Sequence, residues 1–299
     1  MGGVLSQTKE EILTLLFKNK HTYISGQSIS ESLGCSRTAV WKHISELRKE
    51  GYMIDSAQKK GYRLVEPLEK LTKEEILAHL TTERFGRIID FHEVVVSTQK
   101  IAHHLAEDGA SEGTLVLADE QNGGRGRLGR VWHSPKGSGI WMSLILRPQL
   151  LINQIPQLTL ITAVAIVRAI KRVTGVECGI KWPNDILFNG KKVVGILTEL
   201  QAEVENVRAV IIGMGINVNV EAQDMPEDLN EIATSLKIIT GKIQSRAKLI
   251  QAILSELEAL YDTYLENGFS VIKTMWESHA VSLGKIISAR TFNGEVIKG

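Results

Sequence analysis

Hydrophobic and polar positions in the first 65 residues follow the spacing of three helices and a β-hairpin. Thr8 and Glu11 have the spacing of a capping box, which predicts that the first helix begins at Thr8. Gly34 is the residue type that commonly ends helices, so it separates the second helix from the third. The predicted elements are a helix from Thr8, helices over 25–33 and from Ser36 to about Glu50, and strands over 52–55 and 61–65.

From residue 71 onward, helical and strand patterns follow each other without an internal repeat. Thr72 and Glu75 form a second capping box and predict a helix there. Asn189-Gly190 favours a tight antiparallel turn, so we predict an α+β fold rather than a doubly wound parallel sheet. The other predicted helices are 98–108, 155–174 and 246–268, and the predicted strands are 88–96, 114–120, 139–146, 179–188, 192–203, 206–220, 283–289 and 295–299.

Residues 65–70 interrupt these patterns and predict a linker, because they combine charges with a proline that lacks the N–H of regular structure. We therefore place a first domain at 1–66 and a larger second domain at 67–270. Residues 271–299 would begin a third unit, whose two short strands are joined by a turn at 292–294.

The composition is that of an ordinary folded protein, since 43% of the 299 residues are hydrophobic and 23% are charged. These values exclude a wholly disordered chain and a fibre. The formal net charge of +1 excludes a globally basic nucleic-acid coat, although a local basic face stays possible. Cys35 and Cys178 are too few for a disulfide framework, and no apolar run approaches the ~20 residues of a membrane span. We predict a cytoplasmic protein that does not enter a membrane.

The order of the N-terminal elements, helices followed by a basic hairpin, has the layout of a winged helix-turn-helix. With its apolar positions turned inward, the third helix presents cationic and polar side chains that suit phosphates and base edges. The charge excess is small, so a solvated helical domain without a nucleic-acid partner is the alternative. The predicted DNA-binding residues are Gly26, Ser36, Arg37, Thr38, Trp41, Lys42, Lys59 and Lys60.

A glycine- and arginine-rich loop over 124–130 is the strongest chemical signal in the chain. It matches G-x-G-x-x-G, but the sequence that follows neither opens a helix nor supplies the acidic residue of a dinucleotide site. A protein kinase would also need a catalytic loop and a D-F-G motif, which the sequence lacks. Between residues 121 and 176 there are eight Lys or Arg and no Asp or Glu, so we predict that the loop binds an anion.

Three further clusters are ambiguous when each is taken alone. Residues 181–185 (Lys-Trp-Pro-Asn-Asp) end a strand pattern, and residues 192–197 (Lys-Val-Val-Gly-Ile-Leu) begin one. Residues 213–217 (Gly-Met-Gly-Ile-Asn) allow a close approach of the backbone, either at a β-bulge or beside a nucleotide. A lysine at a strand end and a buried tryptophan are ordinary structural features, so the clusters gain meaning only together.

The chain resembles the family of bifunctional biotin–protein ligases and biotin operon repressors. The resemblance is carried by motifs that occur together and in this order: Ser97-Thr98-Gln99, Gln121, the 124–130 loop and the three clusters. The resemblance implies a winged helix-turn-helix, a mixed-sheet catalytic domain and a small SH3-like β-barrel. It implies that biotin and ATP form biotinyl-5'-AMP, with Mg2+ expected. Biotin then passes to a lysine of the biotin carboxyl carrier protein of acetyl-CoA carboxylase. The resemblance also implies operator DNA as a partner and a homodimer on binding biotinyl-AMP.

Carried over by position, the resemblance assigns the binding of biotin and nucleotide to specific residues. Ser97, Thr98 and Gln99 would grip the ureido ring of biotin at a helix start, through hydroxyls and free N–H groups. Asn217 would meet the adenine. The implied ligand-binding residues are Ser97, Thr98, Gln99, Gln121, Gly124, Arg125, Gly126, Arg127, Arg130, Lys181, Trp182, Asn184, Asp185, Lys192, Gly195 and Asn217.

Arg125, Arg127 and Lys192 are the implied catalytic residues. The carboxylate of biotin is ionised at pH 7 and needs no general base, so the main task is to cancel its repulsion from ATP. Asp185 is the nearest candidate to touch Mg2+, and the sequence shows no dedicated metal site. His103 and His104 are adjacent on a predicted helix and face different directions, so we interpret them as structural or surface residues.

The resemblance also bears on the last residues and on two competing functions. The family's C-terminal β-barrel would be incomplete here, because the sequence as given supplies only two of its strands over 271–299. One alternative is a transcription factor that only senses biotin or its adenylate. Another is transfer of lipoate rather than biotin. The loop at 124–130 and Lys192 favour the ligase over the sensor, because a sensor need not stabilise a reacting acyl-phosphate.

Overall fold

The computed structural model describes residues 2–20, 22–50, 52–57, 59–66, 71–203, 206–290 and 294–299. Contacts divide the chain into two compact units, Met1–Thr81 and Thr82–Gly299. The predicted linker lies largely outside the described residues, because 67–70 are not among them.

The N-terminal unit is helical with one β-hairpin. Its elements are α1 (Gly2–Lys18), α2 (Gly26–Leu33), α3 (Arg37–Lys49), β1 (Met53–Ala57), β2 (Gly61–Glu66) and α4 (Lys73–Ala78). The predicted end of α2 is confirmed, since Gly34 adopts a left-handed conformation with φ of 61°. The predicted start of α1 is wrong: the helix begins at Gly2, because a capping-box spacing at Thr8 does not prevent helical backbone on its N-terminal side.

Helix α4 belongs to the N-terminal unit, although the predicted domain boundary after residue 66 would separate it. Ala78 is buried in the same core as Ile12 and Ile44, and α4 packs against α1. Lys73 forms an ion pair with Glu10 at 2.8 Å. The chain therefore leaves the first core after α4, and the division by contacts falls between Thr81 and Thr82.

A fragment of residues 1–81 is expected to be more stable than a fragment of residues 1–66. The longer fragment retains α4 and keeps the apolar face of α1 covered, which is worth about 1–2 kcal/mol for one or two small buried side chains. Urea unfolding of both fragments measures the difference. Lys73→Ala in the longer fragment is the control, because an exposed ion pair contributes less than about 1 kcal/mol. Equal free energies of unfolding would contradict the assignment of α4.

The second unit contains one large mixed sheet with helices. Its elements are β3 (Ile89–Val95), α5 (Thr98–Glu107), β4 (Leu115–Gln121), β5 (Gly139–Leu146), α6 (Ile155–Thr174), β6 (Gly179–Lys181), β7 (Asp185–Phe188), β8 (Lys191–Glu203), β9 (Asn206–Asn217), α7 (Leu236–Thr240), α8 (Arg246–Asn267), α9 (Phe269–His279), β10 (Ser288–Arg290) and β11 (Val296–Lys298). The seven-stranded sheet has the order β3-β4-β5-β9-β8-β7-β6. Only β3 and β4 pair in parallel among its described neighbours, which confirms the α+β class.

The core of this unit lies between the sheet and the long helices. Helix α6 buries Ile161, Val164 and Ile166 completely, and it packs against α8. A buried ion pair joins Arg246 at the start of α8 to Asp119 on β4, with Nη1 2.7 Å from Oδ1. Among the described residues, no helix is long and apolar enough to cross a membrane.

Two sequence predictions for this unit need correction. The strand expected over 179–188 is a hairpin of β6 and β7, because Pro183 has no N–H for a continuous ladder. Residues 271–279 belong to α9 rather than to a β unit, because α9 buries Ile272 and packs against α6.

The last strands, β10 and β11, pair only with each other in the part of the chain that the structure describes. Their register aligns Ser288 with Lys298 and Arg290 with Val296. Gly294 is described, whereas the other residues of the turn predicted at 292–294 lie outside the described residues.

Candidate functional site

A cavity of about 740 Å³ opens where β4 ends and β5 begins, and it contains nearly all of the predicted ligand-binding residues. Gly124 is the exception: a Cβ there would lie 2.4 Å from the carbonyl oxygen of Trp132, so this glycine lets the loop fold and does not line the cavity. The predicted residues in the lining are Ser97, Thr98, Gln99, Gln121, Arg125, Gly126, Arg127, Arg130, Lys181, Trp182, Asn184, Asp185, Lys192, Gly195 and Asn217.

The floor of the cavity is formed by the start of α5 and the end of β4. Ser97 is the N-cap residue of α5, and its buried side chain makes no capping hydrogen bond. The backbone N–H of Thr98 donates to Oε1 of Gln121 at 2.9 Å. The prediction that this helix start offers free N–H groups is therefore wrong for Thr98, because Gln121 has already taken its donor.

Gln99 is engaged with the protein rather than open to a ligand. Its Nε2 donates to the carbonyl oxygens of Leu197 and Ile211, at 3.3 and 3.2 Å, and its Oε1 accepts from Ser143 at 2.9 Å. Gly213 makes room for this amide, since a Cβ at that position would lie 2.5 Å from Oε1. Sequence reasoning missed Ser143, because a serine within an apolar strand carries no motif.

The loop at 124–130 folds back on itself through a tight turn over Arg127–Gly129. Leu128 and Gly129 both have positive φ, at 59° and 73°, and the N–H of Gly126 donates to the carbonyl of Arg130 at 2.7 Å. This fold leaves the side chains of Arg125, Arg127 and Arg130 exposed at the cavity.

Cations dominate the charge around the cavity. Nη1 of Arg127 donates to Oδ1 of Asn184 at 3.0 Å, which connects the glycine-arginine loop to the β6–β7 turn. Nζ of Lys192 lies 2.7 Å from Oδ1 of Asp185, in an ion pair without hydrogen-bond geometry. The cationic lining residues are Arg125, Arg127, Arg130, Lys181 and Lys192. Asp185 is the acidic residue among the described lining, so the charge of the site suits an anion.

Trp132 is the largest residue that sequence reasoning missed in the cavity. Its indole lies against the backbone of two strands: a Cβ on Gly195 would come within 2.7 Å of the ring, and one on Gly215 within 2.5 Å. Nζ of Lys192 lies 5.0 Å from the ring centroid. The glycines of the two strand motifs therefore allow a close approach, and the group that approaches is this tryptophan.

Two asparagines on the predicted nucleotide side of the cavity are held by hydrogen bonds to backbone carbonyls. Nδ2 of Asn184 donates to the carbonyl of Ile196 at 3.0 Å, and Nδ2 of Asn217 donates to the carbonyl of Thr234 at 3.2 Å. A segment after β9 forms another wall of the cavity. Its lining residues are Val220, Met225, Leu229, Ile232 and Ala233.

The strand that carries Lys192 is paired with this wall. The N–H of Lys192 donates to the carbonyl of Ile232 at 2.7 Å, and its carbonyl accepts from the N–H of Thr234 at 2.9 Å. The backbone of Lys192 is thereby held by the segment that encloses the cavity.

His103 has a structural role, in agreement with the interpretation of the sequence. Its Nδ1 accepts from Nε2 of Gln201 at 2.9 Å, so its Nε2 carries the proton and donates to Glu199 at 3.0 Å. This hydrogen bond holds the pKa of Glu199 below its usual range. Within the described residues, no group of three or more His, Cys, Asp or Glu side chains could hold a metal ion.

The N-terminal unit carries a second candidate site, a groove between α2, α3 and the hairpin. Ser36 caps α3, because its Oγ accepts from the N–H of Ala39 at 3.1 Å. Trp41 is 61% exposed, and Lys42 and Lys60 are exposed without lining the groove. The predicted DNA-binding residues that line it are Gly26, Arg37, Thr38, Trp41 and Lys59.

A cluster of polar and aromatic side chains, which the sequence did not reveal, stabilises the hairpin. The carboxylate of Asp55 accepts hydrogen bonds from the hydroxyl of Tyr23 and, at 3.1 Å, from Arg63. The Arg63 guanidinium also lies 4.5 Å from the centre of the Tyr23 ring. The Tyr23 bond, with help from Arg63, holds the pKa of Asp55 below its usual range.

Two family models match this chain, one over each of the two units that carry a candidate site. Residues 8–63 match the model of an HTH domain, and residues 91–217 match the biotin/lipoate A/B protein ligase family.

Two curated relatives cover most of the chain. The bifunctional ligase/repressor BirA of Bacillus subtilis (strain 168) is 53% identical over 289 residues, which are 97% of this chain and 89% of that protein. The bifunctional ligase/repressor BirA of Escherichia coli (strain K12) is 30% identical over 258 residues, covering 85% of this chain and 77% of that protein.

Among solved structures, a biotin protein ligase from Aquifex aeolicus in complex with biotin and ATP superposes with a TM-score of 0.63. It is 33% identical, and the match covers 71% of this chain and 86% of that one.

Proposed function

This chain belongs to the family of bifunctional ligase/repressors, and we propose that it joins biotin to ATP, transfers biotin to a carrier protein and represses transcription in response to biotin. The observation that carries the ligase activity is the cavity in which the cations of the glycine-arginine loop and Lys192 surround one space. Both reactants of the first step are anions, and such a space is what their reaction needs.

In the first step, a carboxylate oxygen of biotin attacks the α-phosphorus of ATP, and pyrophosphate leaves as that O–P bond forms. The carboxylate is already ionised, so no side chain has to remove a proton. Arg127 and Lys192 neutralise the carboxylate and the α-phosphate, and Arg125 adds charge from the same loop. The ureido ring lies on the floor formed by Ser97, Thr98 and Gln121.

The remaining ligand-binding residues are proposed to hold the nucleotide. Lys181, Asn184 and Asp185 face it from the β6–β7 turn, and Asn217 lies on the adenine side. Trp182 is 64% exposed at the rim, where it contributes an apolar surface. Gly195 supports this side indirectly, because it admits Trp132 between the strand and Lys192.

In the second step, the neutral amine of a carrier lysine attacks the acyl carbon of biotinyl-5'-AMP. The C–O bond to AMP breaks, AMP leaves, and the nitrogen releases one proton to water. The proposed carrier is the biotin carboxyl carrier protein of acetyl-CoA carboxylase. Arg127 and Lys192 stabilise the negative charge of the departing AMP, as they did that of the first transition state. The exposed position of the glycine-arginine loop gives the carrier access to the acyl group.

Mg2+ is proposed to accompany ATP, since Mg2+ is commonly bound by one or two carboxylates together with substrate phosphates and water. Asp185 fits such a role as the acidic residue of the described lining, although Lys192 neutralises it here. When bound, the metal would supply further neutralisation of the phosphates. The proposed roles of Arg127 and Lys192 do not depend on it.

Biotin-dependent exchange of labelled pyrophosphate into ATP tests the first step of the ligase proposal. Transfer of labelled biotin to a carrier domain tests the second step. A protein that only senses biotin would bind it without catalysing exchange. Competition between biotin and lipoate separates the two possible substrates. Absence of biotin-dependent exchange with the intact chain would reject the proposed activity.

Repression is proposed to use the groove of the N-terminal unit on operator DNA, with the protein as a homodimer when biotinyl-AMP is bound. One winged helix makes few phosphate contacts, so tight binding needs two subunits on a two-fold site. The proposed location is the cytoplasm, where the free thiols of Cys35 and Cys178 would stay reduced.

Binding to an inverted-repeat operator is expected to tighten when biotinyl-5'-AMP is present and to weaken steeply as salt is raised, because phosphate contacts release counterions. Gel-shift titrations with and without the ligand measure the change, and Arg37→Ala is expected to weaken binding in both. Lys171→Ala, an exposed change in the other unit, serves as the control. Operator affinity that does not respond to the ligand would reject regulation by biotin and leave the ligase proposal intact.

A further inference from the structure

A chain of buried hydroxyl and amide groups crosses the floor of the cavity. We infer that Ser143 and Gln99 set the direction of the Thr98 hydroxyl, so that the floor presents acceptors to an N–H donor. The inference rests on the proposed function, because it assigns that donor to the ureido ring of biotin. Thr98, Gln99 and Ser143 are no more than 4% exposed, and all three line the cavity.

The orientation of the Gln99 amide is the first link in this chain. Its nitrogen faces the carbonyl oxygens of Leu197 and Ile211, which can only accept. Its oxygen therefore faces Ser143, whose Oγ lies 2.9 Å away. Because an amide oxygen cannot donate, the single hydroxyl proton of Ser143 is directed to Gln99.

The direction of the Ser143 proton decides the role of Thr98. The hydroxyl oxygens of these two residues are 2.9 Å apart, and Thr98 must be the donor because Ser143 has no second proton. Oγ1 of Thr98 can also donate to Oε1 of Gln121, at 3.2 Å, but its one proton serves the shorter contact to Ser143. With the Thr98 proton directed to Ser143, the oxygens of Thr98 and Gln121 face each other through lone pairs.

The Gln121 amide cannot turn over to present its NH2 group to the Thr98 oxygen, because both of its ends are already bound. Its Oε1 accepts the N–H of Thr98 at 2.9 Å, and its Nε2 donates to Oγ of Ser134 at 2.9 Å. Ser134 accepts that bond because its own proton goes to the carbonyl of Trp132, at 3.1 Å. Each amide in the chain has one orientation that satisfies its neighbours.

Two neighbouring acceptors in a buried floor are complementary to an N–H donor, because a buried acceptor without a donor loses its hydrogen bond to water. A cyclic urea carries such N–H groups at the end of biotin opposite its carboxylate. A dithiolane ring, as in lipoate, carries none. Ser143 and Gln99 are therefore positioning residues that select the ligand through Thr98.

Calorimetric titration of the intact chain with biotin tests the inference in a double-mutant cycle. Ser143→Ala frees the Thr98 hydroxyl to donate to Gln121. The oxygens of Thr98 and Gln121 then bond to each other and no longer form a pair of acceptors for the ligand. We expect this change to weaken biotin binding by roughly tenfold, the effect of one hydrogen bond. In a Thr98→Val background, the same Ser143→Ala change should alter the dissociation constant by less than about twofold, because there is no hydroxyl left to direct.

The comparison between the two backgrounds separates positioning from packing. A loss of affinity that is equal in both backgrounds, or no loss in either, would overturn the inference. Thermal melting of the unliganded variants reports whether Ser143→Ala folds. If it does not, Gln99→Leu replaces it, because it leaves the Ser143 proton free to turn to Thr98 and predicts the same loss with the same dependence on Thr98. A wild-type chain that does not bind biotin would reject the proposed function itself, and this inference with it.

Discussion

Replacement of Arg127 or Lys192 with alanine is expected to slow the formation of biotinyl-5'-AMP by about 10²–10³-fold, the usual effect of removing one donor from a developing charge. Nη1 of Arg127 is held 3.0 Å from Asn184, and Nζ of Lys192 is held 2.7 Å from Asp185, so both cations are in place before any ligand binds. The measurements are the rate of biotin-dependent pyrophosphate exchange and the rate at which the adenylate is released.

Lys171→Ala provides the matched control, because it removes a cation that is 61% exposed and does not line the cavity. It should leave exchange unchanged. The assigned roles are wrong if both cavity variants retain the wild-type exchange rate and the wild-type rate of adenylate release.

Removal of either partner of the Asp119–Arg246 pair is expected to lower the free energy of unfolding of the second unit by about 3–5 kcal/mol, because the other charge stays buried without a counterion. The two side chains are 3% and 4% exposed. Nη1 of Arg246 also donates to the carbonyl of Gly139 at 3.2 Å. Thermal or urea unfolding of Asp119→Ala and Arg246→Ala measures the loss.

A double replacement by apolar residues, Asp119→Leu with Arg246→Met, should recover much of this loss, because no unpaired charge is left behind. The exposed Lys171–Glu177 pair is the comparison, and its disruption should cost less than about 1 kcal/mol. Single variants at Asp119 and Arg246 that unfold like the wild type would show that the pair does not stabilise this unit.

Local signals in the sequence were sufficient for much of the fold. The cap at Ser36 and the stop at Gly34 depend on interactions within a few residues, and both appear as predicted. The charged motifs were also predicted to form one site, from the order in which they occur along the chain. Arg127, Asn184 and Lys192 come together there although they are far apart in sequence.

Features that depend on distant packing could not be read from the sequence. The length of α4 is that of any short amphipathic helix, and only its contacts assign it to the N-terminal core. Ser143 looks like a polar interruption of an apolar strand until Gln99 and Thr98 are placed beside it. Gly195 and Gly215 indicate a close approach in the sequence, but they do not reveal that Trp132 is the group that approaches.

The backbone pairing of Lys192 also makes this residue a mechanical link. Its N–H and carbonyl are both bound to the wall segment, through Ile232 and Thr234. A displacement of the Lys192 backbone toward a bound anion must therefore carry residues 232–234 along or break two hydrogen bonds. Ile232 is 59% exposed, so such a displacement would be visible on the outer surface of the protein. Binding of an anion in the cavity is therefore coupled, through the backbone of Lys192, to the position of residues on the outer surface.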